Sequence, residues 1–297
     1  MRVAAVQLES TVDTERNLAT AERLVREAAA GGAELVVLPE RLDIRGATAD
    51  YLAGAQPLDG RPVSWARELA GELGIDLVAG SVSERREGHE RVGNTSVHVG
   101  PDGELKAIYR KIHMFDVVVG DVEYRESDSS EPADEIVVSE TAGGVGLGLS
   151  VCYDLRFPEL YRILALRGAR IVTVPANFTR VTGEAHWEIL LRARAIENQV
   201  FVIAPGQGNR PGPEGDSYGN SMIIDPWGEI LARGPAEGAV AISADLDLAR
   251  QDEIREKLPS LANRVVPAYR WPTEAELGAG AQEAAVAAGA RSEGTSG

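Results

Sequence analysis

Three residues of different chemical type stand where short apolar runs give way to charged segments: Glu40 at the end of ELVVLPE, Lys111 in YRKIHMFD and Cys152 in GLGLSVCYDLRFPEL. Together they could cleave a carbonyl derivative. The thiol would attack, the carboxylate would take its proton, and the ammonium would steady the developing oxyanion. Each has a plainer reading as well: a buried cysteine acting as a small hydrophobe, an exposed loop acid after a proline, and a solvated lysine. The polar neighbours Tyr153, Asp154 and Arg156 put the chemical reading of Cys152 on a level with the plain one. A thiol between a strand and a helix N-terminus is also expected to gain N–H donors and a favourable dipole, which lower its pKa. At neutral pH an ordinary thiol is mostly protonated, so a nearby acceptor must take its proton in step with attack. Burial beside other acids would make a glutamate a better base, while the lysine charge would oppose that, so such a cluster titrates as a unit.

Composition singles out the lysine again. Lys106, Lys111 and Lys257 are the only lysines among 30 basic residues, the rest being arginine. The two types differ, since an ammonium is a compact point charge and a guanidinium a planar fork. The four histidines, His89, His98, His113 and His186, never stand four apart, and Cys152 has no second cysteine to join it in a zinc site. No metal is expected. The glycines of GGVGLGLS do not complete a dinucleotide fingerprint and no phosphate-binding G-K-[ST] occurs, so no cofactor is expected either.

Residues at strand ends need a scaffold of strands and helices to bring them together. Apolar runs predict strands over 3–8, 34–38, 75–79, 94–99, 105–109, 144–150, 170–174, 200–204, 221–224 and 239–244. Segments of helical period predict helices over 14–30, 62–73, 158–167 and 184–198. The PDG at 101–103 and the DPWG at 225–228 read as hairpin turns. Parallel units mixed with hairpins point to an α/β protein of two packed sheets. After Trp271 the composition shifts to Ala, Gly, Glu and Ser, so the domain is expected to span 1–270 and to be followed by a flexible tail over 271–297.

With 297 residues, 44% of them hydrophobic, the chain can bury a large core without staples. Its formal charge of −16 makes nucleic acid and anionic membranes poor partners. One cysteine fits a reducing compartment, and no apolar run matches a signal peptide or a membrane span, so a cytoplasmic protein is expected.

Read together, VVLPE around Glu40, RKIHMFD around Lys111 and CYDLRFPEL around Cys152 resemble the three signature segments of the carbon-nitrogen hydrolase (nitrilase-like) superfamily, in the right order. TGEAHWEILLRARAIENQVFV and SMIIDPWGEIL extend the resemblance to about Trp271. It implies an αββα sandwich of two mixed sheets flanked by helices, commonly assembled as a homodimer or larger homo-oligomer. It implies Cys152 as nucleophile, Glu40 as general base, Lys111 as oxyanion donor with the Tyr153 backbone N–H, and Glu126 of YRES as a second acid. KIHMFD, TGEAHWE and SMIIDPWG look most like the omega-amidase and deaminated-glutathione amidase group, whose substrates are small linear amides that also carry a carboxylate. Arg156 is then a candidate carboxylate clamp, or else an ion-pair partner of Asp154 or Glu159. Phe178 and Thr182 are candidates for the pocket wall, while His186 and Trp187 are expected to brace it. An N-carbamoyl or aliphatic amidase shares the same trio, as does a nitrilase. A non-catalytic binding member of the fold, and a redox sensor lacking a resolving cysteine, are alternatives of other classes.

Overall fold

Helix α1 (Thr14–Ala30) starts where the Asp13 side chain accepts the Arg16 N–H at 3.1 Å and ends at Gly31. Its apolar stripe of Leu18, Ala21, Leu24 and Val25 is buried against a sheet, as is that of α3 (Arg61–Leu73) through Val63, Trp65, Ala66 and Leu69. The computed structural model describes residues 1–209 and 216–271. In chain order the first half supplies β1 (Arg2–Gln7), β2 (Leu35–Val37), α2 (Thr48–Gly54), β3 (Asp76–Glu84), β4 (Gly93–Val99) and β5 (Leu105–Arg110). A hairpin follows, β6 (Asp116–Val119) with β7 (Val122–Arg125), then β8 (Val138–Glu140), β9 (Gly146–Leu149), α4 (Pro158–Leu166) and β10 (Ile171–Thr173). Helix α5 (Arg180–Thr182) runs through a π-turn at Gly183–Trp187 into α6 (Glu188–Asn198). The chain then adds β11 (Phe201–Ala204), β12 (Met222–Ile224), β13 (Ile230–Arg233), β14 (Val240–Asp245) and α7 (Leu248–Lys257).

Two six-stranded sheets result, in the orders β14-β1-β2-β3-β4-β5 and β13-β12-β11-β10-β9-β8. Each has a parallel centre, β1-β2-β3 in one and β9-β10-β11 in the other, with antiparallel strands outside it. The sheets face each other, β1 against β11 and β12, β14 against β12 and β13, and β5 against β8. Helices α1 and α3 cover the first sheet and α4 and α6 the second, giving the expected αββα layers. Because central strands are covered on both faces, they read as unbroken apolar runs such as LVV and IVT.

Both expected hairpin turns form. Gly103 N–H bonds Gly100 O between β4 and β5, and Gly228 N–H bonds Asp225 O between β12 and β13. Several elements went unforeseen. The β6–β7 hairpin is short and exposed, α2 is barely two turns, and α7 is mostly charged with only Gln251 and Ile254 buried. None carries a periodic apolar pattern long enough to stand out. Residues Met1–Pro259 form one compact unit that contains both sheets. Ser260–Gly297 group separately, with a single 3-10 turn at Val266–Ala268 among their described residues. The tail expected after Trp271 lies outside the described residues. Among the described residues no helix is long and apolar enough to cross a membrane.

Candidate active site

Glu40 lies just beyond β2, Cys152 just beyond β9, Lys111 directly after β5 and Glu126 directly after β7. Both parallel centres thus deliver a residue from their C-terminal strand ends, where open α/β sheets gather their sites. Gly80 in β3 lets the chain reach Glu40 as it does. A Cβ there would sit 1.8 Å from the Leu38 carbonyl oxygen, so any side chain would push the Leu38–Glu40 segment outward. Arg41 follows at φ +58° with its N–H on Ser81 Oγ, and the Gln207 side chain donates to the carbonyls of Glu40 and Arg41.

The four residues converge. Lys111 Nζ donates to Glu40 Oε1 at 2.9 Å and to Glu126 Oε2 at 2.7 Å, and the Cys152 thiol lies beside Glu40. Asn94 Nδ2 bridges the same acids, at 2.9 Å to Glu40 Oε1 and 2.8 Å to Glu126 Oε1. The Asn177 N–H reaches Glu40 Oε2 at 2.7 Å, and the Phe115 N–H reaches Glu126 Oε2 at 2.8 Å. Arg41, itself buried, faces Glu126 Oε1 at 3.5 Å. Each carboxylate is therefore met by charged and neutral donors, as buried anions require.

Electrostatics follow from that crowding. Burial lowers the proton affinity of the Lys111 ammonium, but Glu126 and Glu40 outweigh it and hold the group above the ordinary lysine range. Burial raises the Glu126 carboxyl, but Lys111 and Arg41 bring it below the usual carboxylate range. The Cys152 thiol is pushed well up by burial and by the adjacent Glu40, with Lys111 opposing. This reverses the lowered thiol pKa expected from a helix N-terminus. The segment after Cys152 is only a 3-10 turn, Cys152–Arg156, and α4 starts no earlier than Pro158. Burial and Glu40 therefore both oppose ionisation of the Cys152 thiol.

The nucleophile turn is rigid. Cys152 has φ +49°, and its N–H donates to Pro175 O at 2.8 Å. Asp154 is fully buried. It accepts from Val151 N–H at 2.8 Å and Tyr109 O–H at 2.6 Å through one oxygen, and lies 2.7 Å from His113 Nδ1 through the other. His113 stacks on Phe157 with ring centroids 3.5 Å apart. Asp154 thereby ties the turn that carries Cys152 to the strand that leads to Lys111.

A pocket of about 260 Å³ opens onto Glu40, Lys111, Glu126 and Cys152. Tyr51 and the hairpin residues Tyr124 and Arg125 also border it, as do Asn177 and Thr179. Its size is near the lower end for small-molecule sites. Phe178 and Thr182 line a much smaller recess, about 10 Å³, that also reaches Cys152 and Tyr153. Arg156 lines neither. Its guanidinium lies 5.4 Å from the Phe178 ring centre and 5.8 Å from that of Tyr153, with Nη1 3.3 Å from His186 Nδ1. Trp187 is buried, donating to Asn220 O, and packs on Phe178 as a brace should.

Sequence reasoning missed Asn94, Asn177, Gln207 and the role of Asp154. Asn94 left a trace, because asparagine is depleted in strands and this one begins the run NTSVHV. Asn177 acts through its backbone, which leaves no trace in residue type. Among the described residues no group of three or more His, Cys, Asp or Glu side chains is placed to hold a metal ion.

The sequence pattern of the family described as carbon-nitrogen hydrolase matches residues 2–256. A deaminated glutathione amidase of Yersinia enterocolitica is 40% identical over 269 residues, covering 89% of this chain and 93% of its own length. The omega-amidase NIT2 of Pongo abelii is 38% identical over 259 residues, covering 87% and 92%. Among solved structures, the C. elegans NitFhit protein superposes with a TM-score of 0.83 at 36% identity, over 91% of this chain and 66% of that longer one.

Proposed function

Because this chain belongs to the carbon-nitrogen hydrolase family, we propose that it hydrolyses a small linear amide bearing a free carboxylate, through a thioester on Cys152. The observation that carries this reading is the contact of one buried carboxylate, Glu40, with both the thiol of Cys152 and the ammonium of Lys111 at the floor of one pocket. The relatives named omega-amidase and deaminated glutathione amidase supply the substrate class, the omega-amide of an alpha-keto acid or deaminated glutathione.

Glu40 takes the thiol proton as Sγ bonds to the amide carbon, since a thiol held protonated by its surroundings cannot attack unaided. The carbonyl oxygen becomes an oxyanion. Lys111 uses two of its N–H donors on Glu40 and Glu126, which leaves the third for that oxygen, beside the Tyr153 backbone N–H. On collapse the carbon–nitrogen bond breaks and protonated Glu40 gives its proton to the departing nitrogen. Ammonia leaves from an omega-amide, and an amine from deaminated glutathione. Water then attacks the thioester with Glu40 as base, releasing the carboxylic acid and restoring the thiol. Glu126 keeps Lys111 charged and in place throughout.

Arg156 is the proposed clamp for the free carboxylate. Its guanidinium lies over the rings of Tyr153 and Phe178, both of which border the recess beside Cys152. A charge-assisted pair is worth about 1.5–3 kcal/mol per hydrogen bond, so Arg156→Ala should lower kcat/KM on an alpha-keto acid omega-amide by about tenfold or more. A neutral aliphatic amide should be a poor substrate and nearly indifferent to the change. Comparing both substrates in both proteins tests the class and the clamp together. Equal losses on the two would reduce Arg156 to a structural role, and faster turnover of the neutral amide by wild type would overturn the substrate class.

We also propose a homodimer formed through the helix layer on the second sheet. Ile189 and Ile196 on α6 and Ile163 and Leu166 on α4 are large apolar side chains exposed to solvent there. Sedimentation should give a dimer for wild type and a monomer for Ile189→Glu with Ile196→Glu. A wild-type monomer would overturn this assembly.

A further inference from the structure

Asn94 occupies an unusual place for a strand residue. It is buried at the start of β4, its backbone carbonyl accepts the Lys111 N–H at 3.0 Å, and its Nδ2 contacts both acids. Its Oδ1 is also buried, yet meets no donor among the described residues. The reverse orientation of the amide would set that oxygen against two carboxylate oxygens, so the acid pair fixes which way the group faces. A buried orphan carbonyl is a cost that a folding role would avoid, and its presence marks a position chosen for the two N–H donors on the other side.

We propose that Asn94 is a positioning residue for the acid pair, donating from one carboxamide nitrogen to Glu40 and Glu126 at once and so fixing the two carboxylates against each other without adding a charge. This rests on the amidase reading for its turnover assay only. Lys111 bridges the same carboxylates, sharing Glu40 Oε1 with Asn94 and taking the other oxygen of Glu126, so the pair is held by one charged and one neutral clamp. The groups facing the cluster are Glu40 and Arg41 beyond β2, Lys111 beyond β5, Glu126 beyond β7 and Cys152 beyond β9. The nearest other charges on the ladder, Glu84 of β3 and Arg110 of β5, neutralise each other at 2.7 Å. With one lysine and one arginine against two carboxylates the formal charges balance, and a neutral double donor holds both acids without disturbing that balance.

The sign of the effect follows. Donors to a carboxylate favour the charged form, so losing them moves the acid limb of activity to higher pH. Serine has one O–H and can serve only one acid, while aspartate adds a third carboxylate. Asn94→Ser should move the limb up by about half a unit, and Asn94→Asp by about one unit or more. At neutral pH kcat should fall about tenfold for Asn94→Ser and about a hundredfold for Asn94→Asp, with KM changed by less than about threefold.

Two readouts are measured against pH in both variants and wild type: kcat and KM on an alpha-keto acid omega-amide, and the rate of alkylation of the single cysteine by iodoacetamide. Thermal melts run alongside. Upward movement of the acid limb in both readouts supports the proposal. If the amide is not turned over but the alkylation limb moves, the positioning role stands and the substrate reading fails. An unmoved limb in folded Asn94→Ser protein overturns the proposal, whether or not the melting temperature has fallen, and so does a rise in KM at constant kcat. Asn94→Ser decides alone should Asn94→Asp fail to fold.

Discussion

Cys152→Ala is expected to lower turnover by about 10⁴-fold or more, since removal of a covalent nucleophile leaves only the binding and oxyanion groups. The fold should survive. Alanine keeps the Cβ, so the strain of φ +49° is the same in both proteins, and the backbone N–H keeps its bond to Pro175 O. Only one buried sulfur atom is lost, which puts the stability change at about 1 kcal/mol. Glu40 loses the thiol but retains Asn94, Lys111 and the Asn177 N–H, so no buried charge is stranded. Product release and a thermal melt on the same preparation check both halves, and mass spectrometry of wild type with substrate should find the acyl adduct on Cys152. Release above background from a well-folded Cys152→Ala protein would remove the cysteine from the mechanism altogether.

Residue types left Cys152 open between a buried hydrophobe and a nucleophile, and the strings around it decided the matter. Glu40, Lys111 and Cys152 close apolar runs, and such runs become strands whose ends meet in an α/β sandwich. Their resemblance to three family segments gave the roles. What stayed hidden acts at a distance along the chain. Glu40 is held by Asn94, Asn177 and Gln207, which stand 54, 137 and 167 positions away, so no local pattern couples them. The thiol's direction of shift was misread for a related reason. Local order suggested a helix N-terminus, whereas burial and then a carboxylate from the opposite sheet push the thiol up. The β6–β7 hairpin, which brings Tyr124 and Arg125 to the pocket, was overlooked because VVV-GD-VEY lacks a long apolar alternation. Arg156 was legible as a cation near the nucleophile, but its packing over two aromatic rings was not.

Lys111→Arg separates charge from position, and the two are expected to part company. Nζ is almost wholly enclosed and lies within 2.9 Å of Glu40 and 2.7 Å of Glu126. A guanidinium keeps the positive charge that these acids need, so most of the stability should remain. It is nonetheless wider and planar, and it prefers to meet a carboxylate through two parallel bonds. In a site closed on both sides the fork must pair with one acid, and no N–H then points where the oxyanion forms. Loss of one such donor from a water-excluded site costs about 3–4 kcal/mol, so kcat should fall by about 10²-fold or more. Lys111→Met is the complementary change. It removes the charge and leaves two buried carboxylates facing Arg41 and Asn94, which should cost about 3–5 kcal/mol of stability as well as the rate. Denaturant melts and kcat measured on both variants give four numbers. The expected pattern is a stable but slow arginine variant and a methionine variant that is both slow and destabilised. Near-normal kcat in Lys111→Arg would mean that the charge alone serves the reaction, and the oxyanion would then depend on backbone donors such as the Tyr153 N–H.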